Sequence, residues 1–286
     1  GYLKFGRSLV PETSTNPDFA TTEAVEVRFP LLPLLSRTVK LNVTLVDVEA
    51  YVEQRDNGSF ELPQIAVGDK GPIAIEVETL RLPGLQAKIL PMPQPDGTAA
   101  EAIAVTLEEA IVKTREQQQI ILADLEGTFA SGGSFQVAVD FNQREKHAKV
   151  AAEGDSLNLP KLAQLIPTTA IRVPAGEATG KVSLEIIGKE VEDIEGRVEL
   201  KGVEAKLAAL SKSVLVSGNA GLIRNRAIAD DLAINYGAIA TKVKGEATFG
   251  ANYDPTSAQF DLAAEVAPAD IDDLLNAATE IGRASC

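Results

Sequence analysis

The chain has 286 residues and a formal net charge of -14, with the hydrophobic content of an ordinary folded protein. This acidic excess argues against a nucleic-acid partner, because nucleic-acid binders present basic side chains to the phosphate backbone. The single Cys, Cys286, and the single His, His147, cannot assemble a zinc site of Cys and His ligands. No apolar run reaches the ~20 residues of a membrane-spanning helix, and residues 1–7 lack the pattern of a secretory signal. We therefore expect any targeting or anchoring segment to lie outside this chain.

The N-terminal residues 1–22 are predicted to form a polar segment or linker. Residues 11–22 are rich in Pro, Thr and Ser, which is typical of a loop. A period of two begins at Val39, where aliphatic and polar residues alternate, and this predicts a half-buried strand. The alternation slips by one near Leu45, which indicates a β-bulge or a turn. The tripeptide at 56–58, Asp-Asn-Gly, then predicts a turn, because Asn and Gly tolerate positive φ.

The same alternation recurs along the rest of the chain, at the regular spacing of an all-β protein. Further predicted strands include those at 73–77, 103–107, 135–141, 182–186, 198–207, 243–249 and 260–266. Gly132-Gly133 and Gly218-Asn219 are predicted to be turns. Neither pair has the Lys and Ser/Thr of a phosphate-binding loop.

Two segments depart from this period. Residues 157–166 and 269–278 have an apolar spacing that predicts one or two turns of helix. Each follows a strand that contains Ala-Ala-Glu, and the two tripeptides start at Ala151 and Ala263, 112 residues apart. A repeat of this length predicts two similar units, at 23–167 and 168–286, each ending in a short helix.

These elements predict an all-β fold with minor short helices, built as an extended, curled antiparallel β-sheet of about fifteen strands. The connections look too short for helical crossovers, so neighbouring strands are expected to be mostly antiparallel, in a meander along most of the chain. An open sheet of this size curls or folds over on itself, which would turn its aliphatic face into a hydrophobic groove. The residues alone leave two interpretations of that face open: an ordinary sandwich core and a lipid-facing groove.

Several stretches of the chain resemble the AsmA/TamB superfamily, and the later ones are similar to TamB repeats. The stretches that carry the resemblance are 27–35, 39–48, 49–52, 56–60, 175–184 with Gly188, 196–200 with Gly202, and 213–222. The resemblance extends over residues 23–278. It implies that the chain is an N-terminal or middle segment of a longer protein, without the anchoring helix and C-terminal domain of TamB.

The resemblance implies a protein of the periplasm, or of an equivalent intermembrane space, that is anchored to the inner membrane and forms a β-lined groove, or β-taco. It implies a non-enzymatic conduit that shields phospholipid acyl chains between the inner and outer membranes. The alternative is an interaction scaffold for outer-membrane protein assembly, which pairs β-strands with a barrel partner that carries POTRA domains. Phospholipid and such a barrel are the expected partners, and no cofactor or metal is expected.

The candidate lipid-groove residues are aliphatic members of the alternating strands. They are Val39, Leu41, Val43, Ile73, Ile75, Val77, Ile103, Val105, Val137, Val139, Val182, Leu184, Val198, Leu200, Val243 and Leu262. Contact between a lipid and such a lining is worth ~0.8 kcal/mol per buried CH₂. Because this contact is non-directional, an acyl chain could slide along the lining without a specific site.

The polar residues suggest no catalytic centre. The sequence supplies no Ser or Cys neighbour for His147 to activate, so we expect a solvent-exposed surface His. Asp270, Asp272 and Asp273 lack the spacing of a calcium-binding loop. They are typical of an acidic first helical turn, where negative charge complements the helix dipole.

Overall fold

The computed structural model describes residues 1–10, 20–30, 38–55, 58, 60, 74–94, 100–116, 119–166, 171–188, 190–208, 210–249 and 259–284. Three parts of the sequence-based prediction fall outside these ranges. They are residues 11–19 of the predicted loop, the first two residues of the predicted turn, Asp56 and Asn57, and the first candidate residue of the second predicted strand, Ile73.

The described residues are mostly β-strand, as the alternation predicts. The strands are β1 (Tyr2–Phe5), β2 (Ser8–Val10), β3 (Ala20–Arg28), β4 (Thr38–Glu53), β5 (Ala74–Arg81), β6 (Leu85–Leu90), β7 (Ile103–Arg115), β8 (Ile120–Phe129), β9 (Ser134–Asn142), β10 (His147–Asn158), β11 (Ile171–Ile187), β12 (Glu190–Leu207), β13 (Val214–Ile223), β14 (Arg226–Tyr236), β15 (Ile239–Thr248) and β16 (Gln259–Val266). The helices are α1 (Leu159–Leu162), continued by a 3₁₀ turn over Ala163–Leu165, and α2 (Ile271–Ala284). The all-β fold class with minor short helices is confirmed.

The strands hydrogen-bond as a 16-stranded sheet in the order β1-β3-β4-β5-β7-β8-β9-β10-β11-β12-β13-β14-β15-β16, with β2 paired to β3 and β6 paired to β4 and β7. The strand pairs whose register is described are antiparallel, as mostly expected, except at β4, which pairs parallel with both β5 and β6. A parallel pair needs a long connection. The stretch between Glu53 and Ala74 is long enough for such a connection, so the connections are not all as short as the sequence suggested.

The chain divides into two compact units, and each is described by itself. Unit 1 consists of Gly1–Met92, Ala99–Ala152 and Glu185–Glu190, and unit 2 consists of Pro93–Thr98, Glu153–Leu184 and Val191–Cys286. These ranges differ from the expected units at 23–167 and 168–286. The expected N-terminal linker contains β1 and β2, and β3 begins at Ala20 within the expected loop. Strands this short, with few aliphatic residues, contain too few alternations for a period to be recognised.

Cross-strand partners sort the side chains of unit 1 onto two faces. Ala20, Ala50, Ala87, Val105 and Phe129 are register partners on β3, β4, β6, β7 and β8. Because partners in register point to the same face, they form one apolar row. The aliphatic side chains that are less than a tenth exposed on this face include Val48, Leu85, Ile103, Val105 and Ala110. Unit 1 therefore has a packed aliphatic core.

β-Bulges keep the aliphatic residues on one face where the sequence alternation slips. In β7 the aliphatic parity changes between Leu107 and Ala110, and the register with β8 shifts at the same place. In β12 the parity changes between Leu200 and Val203, where the register with β13 also shifts. In each case the extra residue returns the following side chains to the apolar face. The slip expected in β4 corresponds to Asp47, whose φ is 49°.

The two glycine pairs behave differently. The predicted turn at Gly132-Gly133 is confirmed, since both residues lie between β8 and β9 with φ angles of 101° and 91°. The predicted turn at Gly218-Asn219 is wrong, because both residues lie inside β13. Gly218 has a φ of 123°, and a Cβ added there would overlap the carbonyl oxygen of Asp231. Glycine is therefore required at this position by the close approach of β14 beside a register shift.

Both predicted helices are confirmed, and side-chain caps explain where they begin. The side-chain oxygen of Asn158 accepts a hydrogen bond from the backbone N–H of Lys161 at 3.2 Å, which caps α1. The carboxylate of Asp270 accepts from the backbone N–H of Asp272 at 3.1 Å at the start of α2. Asp272 and Asp273 occupy the first turn of α2, as predicted from the helix dipole. The helix continues beyond its predicted end at residue 278.

The packed core of unit 1 predicts a large cost for truncating Ile103. Ile103→Ala is expected to lower the free energy of unfolding by about 2–4 kcal/mol, because it leaves a cavity in the core; the native side chain is only 2% exposed. The matched control Ile75→Ala removes the same atoms from a side chain that is 65% exposed. It should cost less than about 0.5 kcal/mol. Denaturant titration measures both values, and equal losses would contradict a packed core around Ile103.

Candidate functional site

The apolar face of unit 2 extends across five successive strands, β12 to β16. Its side chains come from register partners, which point to the same face. The four rows, each read from β12 to β16, are Val203, Val216, Ile234, Thr241 and Val266; Leu200, Gly218, Leu232, Val243 and Ala264; Val198, Ala220, Ala229, Gly245 and Leu262; and Gly196, Leu222, Ala227, Ala247 and Phe260. Because each row crosses the strands, the four rows together form an apolar band.

Most side chains of the apolar face of unit 2 are only half-buried. Val203 is the one member of the four rows that is less than a tenth exposed, whereas Phe260, Leu262 and Val266 are 67%, 48% and 51% exposed. Phe260 is also the one aromatic residue in these rows, so large rings do not fill the space between the aliphatic side chains. This face therefore presents aliphatic surface, in contrast to the enclosed core of unit 1.

The opposite face of the same strands is charged. In the β15–β16 register, Lys242 lies opposite Glu265 and Glu246 lies opposite Asp261. The guanidinium of Arg226 donates a hydrogen bond to the carboxylate of Glu246 at 3.1 Å. Charged groups stay in water unless they are paired, while aliphatic groups gain by leaving it. The two faces of unit 2 therefore suit different ligands, and an apolar ligand is expected on the face that carries the four rows.

The structure places the candidate lipid-groove residues in two kinds of environment. In unit 1, Val39, Leu41, Val43, Val77, Val137 and Val139 are half-buried, Ile75 is exposed, and Ile103 and Val105 are buried. In unit 2, Leu184, Val198, Leu200 and Val243 are half-buried, and Val182 and Leu262 are exposed. The burial of Ile103 and Val105 makes them members of a filled core in this structure. The half-buried and exposed residues remain the candidates for contact with a ligand.

The sequence-based set omits several large members of the four rows, among them Val216, Leu232 and Ile234. The signal for them is present in the sequence, because Leu232, Ile234 and Tyr236 alternate with polar or small residues. The predicted turn at Gly218-Asn219 concealed this signal, because a turn there would interrupt β13, the strand that contains Val216 and pairs with β14. Recognising β13 as one unbroken strand brings these three residues into the site.

Two hollows open on surfaces that carry mixed charges. One in unit 1 has a volume of about 890 Å³, and Glu49 and Lys88 are among the residues that line it. Another in unit 2 has a volume of about 690 Å³, with Asp155, Lys181 and Arg197 in its lining. Residues of both signs line each hollow, so neither provides the continuous aliphatic lining that an acyl chain requires.

His147 is not the solvent-exposed residue that the sequence predicts. Its Nε2 lies 2.6 Å from Oε1 of Glu185, and the two side chains are only 26% and 32% exposed. Nζ of Lys149 lies 3.4 Å from the same carboxylate oxygen. The hydrogen bond from His147 is the main cause that holds the pKa of Glu185 below its ordinary value of 4.5. A strand's own period does not reveal its neighbour, so the sequence could not show that β11 brings Glu185 to His147.

The described residues offer no alternative centre based on a metal. Within those ranges, no group of three or more His, Cys, Asp or Glu side chains is arranged to hold a metal ion. Among the same residues, no helix combines the length and the apolar character needed to cross a membrane. The candidate functional site is the apolar face of unit 2, whose four rows present aliphatic surface.

No family model matches the sequence, and no curated protein matches it. The geometry of the described residues and the resemblance of the sequence stretches named above are therefore the basis for inferring a function.

The contacts of Glu185 predict a pH-dependent stability. Because the folded-state pKa of Glu185 lies below 4.5, its stabilising contribution is fully present above that pH and is lost as the pH falls through the lowered value. Glu185→Gln should therefore reduce the free energy of unfolding at neutral pH, and the difference from the unmodified chain should shrink below pH 4.5.

The control for this prediction is Glu145→Gln. Glu145 is exposed, and its side chain makes no ion pair within the described ranges, so its substitution should leave the pH dependence unchanged. Denaturant titrations at a series of pH values measure both variants. A Glu185→Gln effect that persists undiminished in acid would contradict the assigned role of the carboxylate.

Proposed function

We propose that this chain is a non-enzymatic conduit segment of an envelope protein, which shields phospholipid acyl chains between the inner and outer membranes. The observation that carries the proposal is the apolar face of unit 2, a band of aliphatic side chains that crosses five strands, mostly half-buried on β12 to β15 and exposed on β16. The resemblance to the AsmA/TamB superfamily supports a location in the periplasm or an equivalent intermembrane space. An anchor outside this chain would then attach the protein to the inner membrane.

The width of the apolar band suits an acyl chain. Neighbouring strands lie ~4.8 Å apart, so the five strands β12 to β16 cover about 19 Å. One leaflet contributes half of the ~30 Å hydrocarbon thickness of a bilayer, or about 15 Å. An acyl chain that lies across the strands can therefore contact apolar side chains along its whole length.

The chemistry of the band favours retention of a lipid without fixing it at one place. Each CH₂ group that leaves water for an apolar surface contributes ~0.8 kcal/mol. Val216, Leu232 and Val243 present methyl groups on three successive strands, and no charged side chain interrupts the four rows. Because hydrophobic contact has no preferred direction, a bound chain can move from row to row without breaking a defined set of bonds.

The acidic character of the chain favours a lipid that is bound by its acyl chains with its headgroup directed towards water. The chain has a net charge of -14, and its charged face includes Glu246 and Asp261 opposite each other. An anionic headgroup is repelled by such a surface. The apolar face is therefore the favourable place for the acyl chains, with the headgroups directed towards water.

Native mass spectrometry and lipid extraction of the chain purified from cells test this proposal. Co-purified phospholipid is expected, and Val243→Asp should reduce its amount at least about tenfold, because a carboxylate beside CH₂ groups would lose its hydration. Val137→Asp applies the same test to the half-buried aliphatic side chains of unit 1. The matched control is Ala240→Asp, which places the same charge on β15 at an exposed position of the opposite face. This control should keep its lipid.

Two results would contradict the lipid proposal. A lipid-free chain with one cooperative unfolding transition would indicate a filled β-core and not a conduit. Equal loss of lipid in Val243→Asp and Ala240→Asp would show that binding does not depend on the apolar face. Circular dichroism of both variants verifies that the strands are retained.

The second candidate function is an interaction scaffold for outer-membrane protein assembly, with a POTRA-bearing barrel as partner. The observation that favours it is β16, because all 8 of its residues are exposed. An exposed edge strand can accept a strand from a partner through backbone hydrogen bonds. For this function, Leu262→Pro should abolish binding of a purified barrel protein of this kind, because it removes a backbone N–H from the edge strand.

A further inference from the structure

The strands at the two ends of the sheet each have an edge that is unpaired in the part of the chain that the structure describes. There, β16 pairs with β15 alone and β1 pairs with β3 alone. Natural proteins usually protect such edges with bulges, prolines or a covering segment. β16 has an unshifted register and no proline, and its apolar residues Phe260, Leu262 and Val266 are exposed. Among the described residues it is therefore an unprotected edge, which can accept a further strand.

We propose that β16 of one molecule binds β1 of a second copy in parallel, so that molecules associate head to tail. Three properties of the two strands agree with this pairing: the direction of their free backbone groups, the side-chain faces that would become continuous, and their charges. The inference does not depend on whether the apolar face binds lipid.

The hydrogen bonds of β16 show which of its backbone groups point towards the free edge. The N–H of Ala267, the residue after β16, donates to the carbonyl oxygen of Ala240 at 2.9 Å. Hydrogen-bonded pairs alternate with non-bonded pairs along an antiparallel ladder, so Asp261 also bonds to β15. The N–H and C=O groups of Phe260 and Leu262 therefore point away from β15, towards a strand that would be added.

The free backbone groups of β1 follow from the same argument. Gly1 and Phe29 exchange both backbone hydrogen bonds, at 3.0 and 2.6 Å, which makes them a hydrogen-bonded pair. Leu3 is then the next residue that bonds to β3. The N–H and C=O groups of Tyr2 and Lys4 point towards the free edge of β1.

A parallel pairing joins these two sets of groups. In a parallel ladder, a residue whose N–H and C=O both point across to the other strand bonds to the two neighbours of its register partner. With Phe260 as the register partner of Leu3, the N–H of Phe260 would donate to the carbonyl oxygen of Tyr2. The carbonyl oxygen of Phe260 would accept from the N–H of Lys4. Two residues further along, Leu262 would be the register partner of Phe5, and the N–H of Leu262 would donate to the carbonyl oxygen of Lys4.

The same pairing makes the apolar faces of the two copies continuous. Leu3 and Phe5 point to the same side as their register partners on β3, Val27 and Val25. Parallel pairing would place them beside the apolar side chains of Phe260 and Leu262. An antiparallel pairing would instead place Lys4 on the apolar face beside one of these residues, which would cost the hydration of its ammonium group. The side-chain faces therefore select the parallel arrangement.

The charges of the two strands agree with this register, which places Lys4 beside Asp261. Within one molecule Asp261 lies opposite Glu246, an arrangement of like charges that is destabilising. Glu246 is paired with Arg226, whereas no ion pair of Asp261 is present within the described ranges. Lys4 is 57% exposed and contacts Glu26 at 3.2 Å, so its ammonium group is available to a second carboxylate. A lysine on an edge also disfavours partners that lack an acidic residue at this position.

Sedimentation equilibrium of the purified chain over a range of concentrations tests the proposal. Head-to-tail binding predicts oligomers that grow beyond the dimer, because every added copy leaves one β1 and one β16 edge free. Leu262→Pro removes an outward N–H and should raise the dissociation constant at least about tenfold. A monomer at all concentrations, or a dimer that does not grow, would overturn the proposal.

An exchange of charges tests the register separately from the stability of β16. Lys4→Asp and Asp261→Lys should each weaken association, and the double variant should restore it. The matched control Lys40→Asp breaks an exposed ion pair with Glu78, at 3.4 Å, on strands that lie at neither edge. It should leave association unchanged. Failure of the double variant to restore association would overturn the register. A monomeric chain that retains phospholipid would overturn this inference while leaving the proposed function intact.

Discussion

Cross-strand register is the constraint on which the rest of the structure depends, because it decides which face each side chain joins. A shift of one residue would move the aliphatic side chains of a strand to the charged face. The sequences of β7 and β12 each change parity once, and a register shift lies at the same position in both strands. The bulges therefore preserve the apolar faces of strands whose alternation is interrupted.

The same arrangement of side chains has a different outcome in the two units. In unit 1 the row that includes Val105 lies in a packed core, with Ile103 only 2% exposed. In unit 2 the corresponding rows of aliphatic residues are mostly half-buried, and Leu262 at the edge is 48% exposed. What distinguishes a core from a ligand surface is therefore not the strand pattern but whether other parts of the protein cover it.

The period of two was sufficient to predict most of the long strands and the fold class, since strands such as β7 and β9 contain several alternations. It could not predict features that depend on which strands become neighbours. The parallel pairing of β4, the contact between His147 and Glu185, and the position of Gly218 inside a strand are of this kind. The burial of Ile103 was unpredictable for the same reason, because the alternation assigns a residue to a face and does not reveal what covers that face.

The accessibility of the apolar face of unit 2 to acyl chains is tested most directly by methyl NMR with a phospholipid that is spin-labelled in its acyl chain. An unpaired electron broadens the resonances of methyl groups close to it. The account predicts selective broadening at Leu200, Val216 and Val243, while the methyl groups of Ile103 in the core of unit 1 keep their intensity. Broadening that is absent, or equal at Ile103 and at the three residues of unit 2, would contradict it.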